Sequence, residues 1–152
     1  AAGQEPAAAD ALARALRTGA ASKRIHRDVA RLAFTQQDYP QAVAQFREAL
    51  RHEDAPLLRF NLAMALRGAK DEAAAMAIFE ALMESNPELA EVYEAVVTGY
   101  LRVGKTTEAR AVLWRMKAGA KAHPRLQGAH AALAAQLEKA APTPALVDAE
   151  AP

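Results

Sequence analysis

Three stretches of the chain share one pattern: RDVARLAFTQQDYPQAVAQFREALRHEDAP at residues 27–56, RFNLAMALRGAKDEAAAMAIFEALMESNPE at 59–88 and YEAVVTGYLRVGKTTEARAVLWRMKAGAK at 93–121. In each, the spacing of apolar residues indicates a helix of roughly a dozen residues, a short break, and a second helix of similar length. Equivalent positions recur about 33 to 34 residues apart. A two-helix unit repeated at this period predicts a helical solenoid.

Small and apolar residues recur at fixed places in the three stretches. On the first helix of the three units, one such place carries Ala30, Ala63 and Val97. On the second helix, one place carries Ala42, Ala75 and Ala109, and the place four residues later carries Phe46, Phe79 and Leu113. Small residues at facing positions let neighbouring helices approach closely. We therefore expect these alanines at the contacts between paired helices.

Composition agrees with an all-α chain of one domain. The chain has 152 residues, of which 52% are hydrophobic but only 5% aromatic, and alanine alone supplies roughly a quarter. Alanine is the best helix former, whereas strands favour the β-branched and aromatic side chains that are scarce here. The absence of cysteine excludes a disulfide framework and a thiol nucleophile. No apolar run reaches the roughly 18 residues that a membrane-spanning helix needs.

The repeat resembles the tetratricopeptide repeat, whose unit is a helix–turn–helix of about 34 residues with an alanine, an aromatic residue and a late proline at set places. The residues that carry the resemblance are Asp38, Tyr39, Ala42, Phe46 and Ala49 in the first unit, Leu62, Ala63, Ala75, Phe79 and Pro87 in the second, and Tyr93, Tyr100, Gly104, Ala109 and Leu113 in the third. The chain departs from the family pattern at His26, which stands at the usual tryptophan position, and at Asp54 and Lys121, which replace the late proline. The resemblance implies a right-handed α-solenoid.

The chain is predicted to consist of three repeat units with flanking helices. The expected parts are an N-terminal segment at 1–22 with a short helix, units at about 23–55, 56–89 and 90–122, a C-terminal capping helix at 123–140, and a disordered tail at 141–152. Asp38 is expected to cap the helix that follows it, and Asn86-Pro87-Glu88 is expected to open the third unit in the same way. Leu126, Leu133 and Leu137 form one stripe that can cover the last unit.

No pattern in the chain indicates catalysis, a metal or a cofactor. His123 and His130 are not spaced as HExxH, His52 is adjacent to acidic residues at a helix end, and His26 is predicted to serve in packing. The seven glycines are dispersed, so neither a P-loop nor a dinucleotide-binding turn is present. We predict that the protein is not an enzyme.

Charge is balanced, with 19 basic and 18 acidic residues, so nucleic acid is not the predicted partner. A basic cluster does occur on the first predicted helix, with Arg24, Arg27 and Arg31 on one face. A solvated surface explains this cluster, and binding of a peptide carboxylate is the competing explanation. No aromatic residues interleave with it to stack on bases.

In proteins similar to this one, the first helix of every unit lines a concave groove. Carried over position by position, the predicted groove consists of Arg24, Arg27, Arg31 and Phe34; Leu57, Phe60, Asn61, Met64 and Arg67; and Glu91, Glu94, Thr98, Leu101 and Arg102. This surface is basic at one end, apolar in the middle and acidic at the other. It suits an extended or helical segment of a protein partner. Glu91 and Ala95 argue against the carboxylate clamp known in the family, which needs cations there.

Two alternatives stay open for the apolar centre of the groove. Leu57, Phe60 and Met64 either bind a partner or are buried against the N-terminal helix of the same chain. The expected function is a non-enzymatic interaction module, a scaffold or assembly factor in a bacterial envelope complex, with a periplasmic or cell-envelope location and a cytoplasmic one as the alternative. The alternative functions are a small chaperone of the secretion-system type and a structural adaptor that acts through its convex face or self-association, so a homo-oligomer also stays open.

Overall fold

The computed structural model describes residues 23–140 and, outside that range, only Arg14. These residues form seven α-helices and no strand: α1 Lys23–Thr35, α2 Tyr39–His52, α3 Pro56–Gly68, α4 Glu72–Ser85, α5 Ala90–Arg102, α6 Thr106–Gly119 and α7 Arg125–Ala140. The predicted N-terminal helix and the predicted tail lie outside the described residues. The described residues divide into two compact units, the first ending at Leu82 and the second beginning at Met83. Within the described range, no helix is long and apolar enough to cross a bilayer.

The turn inside each helix pair has the same geometry. Gln37, Lys70 and Gly104 each have a positive φ, of 62°, 69° and 74° respectively. The amide of the following residue donates back to the carbonyl of Ala33, Leu66 or Tyr100, as in a Schellman motif. The three turns therefore end their first helices in one way, although only the third uses glycine.

The second helix of each pair begins directly after this turn. The Asp38 carboxylate accepts a hydrogen bond of 3.2 Å from the Gln41 amide, and the Asp71 carboxylate accepts one of 3.2 Å from the Ala74 amide. The predicted cap at Asp38 is thus confirmed. Lys105 takes the same place in the third pair and makes no side-chain capping bond.

The predicted helix start at Asn86-Pro87-Glu88 is wrong. The Asn86 carbonyl accepts from the Leu89 amide at 3.1 Å, so Pro87 and Glu88 form a turn, and α5 begins at Ala90. Asparagine followed by proline suits the first residues of a turn as well as a helix start. The acidic residue in the first turn of α5 is Glu91.

The core of the first unit combines alanines and two phenylalanines with valines and leucines such as Val43, Leu62 and Leu66. Ala30, Ala42, Ala63 and Ala75 are fully buried, and Phe46 and Phe79 are buried with them, as the repeat predicts. α2 packs against both α1 and α3. Gly68, at the end of α3, lies directly against the Tyr39 ring at the start of α2.

The core of the second unit is built from α5, α6 and α7, which contact one another. Tyr93, Val96 and Val97 of α5 and Ala109, Leu113 and Met116 of α6 are buried. The predicted leucine stripe of α7 is confirmed, because Leu126, Leu133 and Leu137 are all buried. This stripe attaches α7 to the preceding helix pair.

Candidate partner-binding site

The first unit contains a cavity of about 300 Å³ that is lined mostly by predicted groove residues. We call it the Phe60 pocket; its lining residues are Arg31, Phe34, Thr35, Phe46, Phe60, Asn61 and Met64. Five of these seven were predicted from the sequence. The pocket is therefore the part of the predicted groove that the structure brings together.

Helical spacing explains how the pocket forms. Arg31, Phe34 and Thr35 are three and four residues apart on α1, so they share one face. Phe60 and Met64 are spaced in the same way on α3. Phe46 reaches the pocket from α2, the helix that packs against both.

Aromatic contacts hold the pocket walls in place. The Phe34 and Tyr39 rings meet edge to face with centroids 5.6 Å apart, and the Phe60 and Phe79 rings do so at the same distance. Such pairs are favourable beyond the area they bury. The half-buried Phe34 and Phe60 thus have one ring surface packed against the core and remain at the pocket wall.

Three polar side chains lie in the lining of this mostly apolar pocket. The Thr35 hydroxyl donates to the Leu32 carbonyl, and the other two are Arg31 and Asn61. Arg31 is exposed and Asn61 is half-buried. Within the described range, neither side chain makes an ion pair or a hydrogen bond with another residue. A guanidinium offers planar paired donors, and an amide offers one acceptor and two donors. Both can therefore bind polar groups of a ligand whose apolar part fills the pocket.

The other predicted groove residues of the first unit lie outside the pocket lining. Arg24 and Arg27 lie 3.9 Å and 3.6 Å from the Asp28 carboxylate. Leu57 is 68% exposed in the first turn of α3.

Arg67 points into the interface between α3 and α4. Its side chain is only 12% exposed and lies 3.3 Å from the Glu72 carboxylate. Its guanidinium also lies over the Phe79 ring, 4.8 Å from the centroid. The side chain predicted for the groove thus forms part of the packing beneath Phe60.

The groove residues predicted from the third repeat lie on α5, in the second unit. Glu91, Glu94, Thr98 and Arg102 are exposed, and Leu101 is half-buried. Glu91 contributes to a separate cavity of about 570 Å³ where α5 and α7 begin. The remaining lining residues of that cavity are Glu88, Leu89, Ala90, Ala122, His123, Pro124 and Arg125.

Comparison with known proteins identifies the family to which this chain belongs. A model of the tetratricopeptide repeat family matches residues 1–51 and again residues 27–90, which together cover more than half of the chain. The chain belongs to the tetratricopeptide repeat family. This confirms the predicted family and, with the seven helices, the all-α helical repeat fold. The family mediates protein–protein interactions, so the fold indicates an interaction module.

A solved structure shares the fold of this tetratricopeptide repeat protein. The crystal structure of a tetratricopeptide repeat protein from Parabacteroides merdae superimposes with a TM-score of 0.74 at 18% sequence identity, over 91% of this chain and 54% of that one. This chain therefore spans about half the length of its structural neighbour. None of the curated proteins compared with the chain matches it.

Two of the four histidines of this tetratricopeptide repeat protein, His26 and His52, contact each other in the first unit, whereas His123 lines the second cavity. The His26 Nδ1 atom lies 2.9 Å from the Gln45 Oε1 atom, and the His26 ring stacks on the His52 ring with centroids 5.8 Å apart. Among the described residues, no group of three or more histidine, aspartate or glutamate side chains could hold a metal ion. His26 thus joins α1 to α2, in keeping with the packing role predicted for it.

Sequence reasoning missed two residues of the Phe60 pocket and every lining residue of the second cavity except Glu91. Thr35 follows Phe34 on the same helix, and its hydroxyl donates to the Leu32 carbonyl at 2.7 Å. Phe46 was predicted to serve only in packing, but it is both buried and part of the pocket lining. The i, i+4 spacing of Arg31 and Thr35 was the signal that could have found Thr35.

Proposed function

We propose that the Phe60 pocket binds an apolar side chain of a partner protein, with Arg31 and Asn61 binding the polar groups beside it. The observation that carries this proposal is a cavity with four apolar lining residues next to an exposed guanidinium that has no partner within the described range. The protein would then act by binding a partner segment rather than by catalysis.

The chemistry of the pocket supports a ligand with an apolar residue next to a carboxylate or a carbonyl. Phenylalanine and methionine form an adaptable apolar surface, and methionine can adjust to side chains of different shape. Interfaces place such apolar contacts at the centre and polar contacts at the rim. Arg31 gives a bound segment direction because a cation favours its acidic end.

We propose a scaffold or assembly factor in a bacterial envelope complex as the biological role, with the protein in the periplasm or attached to the envelope. A chaperone that holds an exported protein would use the same pocket. A structural adaptor would instead use the outer helix faces or self-association. Variants of the pocket therefore distinguish the adaptor, whose partner binding they should leave unchanged, from the other two roles.

The test compares two pocket variants with one matched control. Arg31→Glu reverses an exposed charge at the pocket rim, and Met64→Asp places a charge in its apolar wall. Arg47→Glu makes the same charge reversal at an exposed residue of α2 outside the lining. Partners are captured from the source cells, identified by mass spectrometry, and titrated as purified proteins by calorimetry.

We expect both pocket variants to lower the affinity for the partner at least about tenfold, equivalent to about 1.4 kcal/mol, while Arg47→Glu leaves it unchanged. Circular dichroism must show equal helicity for all three variants. Equal affinity of all variants would reject the pocket as the binding site. If residues 1–22 occupy the pocket, their removal will increase the affinity, which would identify the N-terminal segment as a competing ligand.

A further inference from the structure

Trp114 is the only tryptophan of the chain, and its side chain is 75% exposed on α6. The core of the second unit does not use it, because Ala109, Val112, Leu113 and Met116 form the buried side of the same helix. A large aromatic side chain in water carries apolar area that a partner can cover. Trp114 therefore belongs to a surface outside the Phe60 pocket.

The neighbours of Trp114 on its helix face are small or basic. Arg110 and Lys117 lie one turn before and after it, and Ala111 and Ala118 are the other neighbours at helical spacing. All four are exposed. The alanines leave room on both sides of the indole, so another chain can approach close to the helix. We call these five residues the Trp114 face.

Charge is divided unevenly along the second unit. Residues 83–98 contain four glutamates and no basic residue, whereas residues 102–125 contain seven basic residues and the single acid Glu108. No carboxylate among the described residues forms an ion pair with Arg110, Lys117 or Lys121. The Trp114 face is therefore a cationic surface with an aromatic centre.

We propose that the Trp114 face binds an acidic segment of a partner protein, in which carboxylates flank an apolar cleft that takes the indole. Tryptophan is enriched among the residues that carry most of the binding energy of interfaces. Complementary charges around such a centre increase the association rate and fix the orientation of the partner. This surface shares no residue with the Phe60 pocket, so either proposal can be rejected without affecting the other.

The observations favour an acidic protein over the other anionic partners. Stable attachment to a bilayer takes a large apolar area or a second membrane signal, and here one indole stands between alanines. Binding of single-stranded nucleic acid uses several stacking rings along a basic groove, and this face has one ring. One indole between two cations is complementary to a folded or helical segment that has one apolar cleft between carboxylates.

Because the chain has a single tryptophan, its fluorescence emission reports directly whether a ligand occupies the Trp114 face. The probe is a synthetic helical peptide with leucine along one side and glutamate at the flanking positions; the control peptide has lysine in place of every glutamate. Tryptophan emission of the full chain is followed during titration at low and high salt. Arg110→Glu and Lys117→Glu keep the reporter and reverse the charges, and Lys139→Glu on α7 is the matched control variant.

We expect the acidic peptide to shift the emission to shorter wavelength, with binding that weakens as salt increases, and the basic peptide to have no effect. Each reversal on the Trp114 face should raise the dissociation constant at least about tenfold, while Lys139→Glu should not change it. Trp114→Ala, followed by calorimetry, should abolish binding and leave the unfolding midpoint unchanged.

Three results would overturn the proposal. Equal affinity for both peptides would show that charge does not direct the contact. An emission shift with phosphatidylglycerol vesicles but not with the acidic peptide would assign the face to a membrane surface. A shift to longer wavelength when residues 141–152 are removed, with no response to the peptide before removal, would show that the chain covers the face itself.

Discussion

At the residue scale, the three turns inside the helix pairs use one backbone conformation with different side chains. Gln37 and Lys70 have the positive φ that Gly104 has in the third turn. This conformation costs an L residue with a side chain roughly 1–2 kcal/mol, more than the roughly 0.5–1 kcal/mol of backbone entropy that glycine loses. The first two turns therefore contain local strain that the third lacks.

Lys70→Gly should increase the free energy of unfolding by about 0.5–1 kcal/mol, because glycine removes the steric cost of the positive φ. Urea unfolding followed by circular dichroism measures the change as a higher midpoint at an unchanged slope. Ala69→Gly is the matched control, since Ala69 has an ordinary φ of −73° and should lose stability on the same substitution. A lower midpoint for Lys70→Gly would show that the turn is not strained.

Asp54 stands where the family pattern has a proline, and it forms a paired contact with Arg59 instead. The Arg59 Nε atom donates to Asp54 Oδ1 at 2.5 Å, and Arg59 Nη2 donates to Asp54 Oδ2. These hydrogen bonds from Arg59 lower the pKa of the Asp54 carboxyl below its usual value. The contact links the loop after α2 to the first turns of α3.

A lowered pKa in the folded state makes the stabilising effect of Asp54 dependent on pH. The effect is fully present above the unfolded-state pKa of about 3.9 and is lost as pH falls through the lower folded-state pKa, since the unfolded chain takes up the proton first. At pH 7, Asp54→Asn should lower the urea midpoint slightly, because the pair is exposed. The difference from wild type should vanish in acid. A difference that is constant with pH, or that persists in an Arg59→Gln background, would contradict this assignment.

At the element scale, the packing of α2 against α3 depends on the absence of a side chain at Gly68. A methyl group there would lie 2.7 Å from the Cγ atom of Tyr39 and would overlap two further ring atoms. The ring atoms nearest the backbone cannot move aside as the end of a flexible side chain can. The close contact at the end of α3 thus requires glycine for reasons of space.

Gly68→Ala should lower the free energy of unfolding by about 1–3 kcal/mol, the typical cost of overpacking. In a Tyr39→Ala background the same change should be neutral or stabilising, since alanine is otherwise the better helix residue. The double-mutant cycle therefore has a coupling energy of about 1–3 kcal/mol, measured by urea unfolding. An equal effect of Gly68→Ala in both backgrounds would show that the ring is not the cause.

The sequence predicted those elements that local chemistry determines. The burial of Ala42, Ala75 and Phe79 and the cap at Asp38 follow from helical period and from side chains acting on their own backbone. The start of α5 did not follow, because Asn86-Pro87 fits a turn and a helix start equally well and the choice depends on how the chain is held around it.

The Phe60 pocket could be predicted only where it depends on one helix face. Helical spacing brought together Phe60 and Met64, but the contribution of Phe46 requires knowing which helix packs beneath them. Arg67 shares the spacing of the groove residues, yet its long side chain reaches inward to Glu72 and Phe79. The helical period predicts on which face of a helix a long side chain begins, but not the direction in which its charged end points.

At the scale of the whole molecule, contacts within each unit join helices that are close in sequence. In the first unit α2 contacts α1 and α3, and in the second α5, α6 and α7 contact one another. In repeat proteins, stability is approximately a sum over such units and their neighbouring interfaces. Partial opening of one unit therefore does not require complete unfolding of the chain.

This local organisation predicts a regional response to mutation. Gly68→Ala should increase hydrogen exchange mainly in α1–α3, whereas Leu126→Ala, which removes a fully buried side chain of α7 at a cost of about 2–5 kcal/mol, should do so mainly in α5–α7. The two variants serve as controls for each other, because each identifies the amides that the other should leave protected. Exchange measured by mass spectrometry on peptides from both units distinguishes this pattern from a single cooperative transition, in which either variant would increase exchange in all the described helices by the same factor.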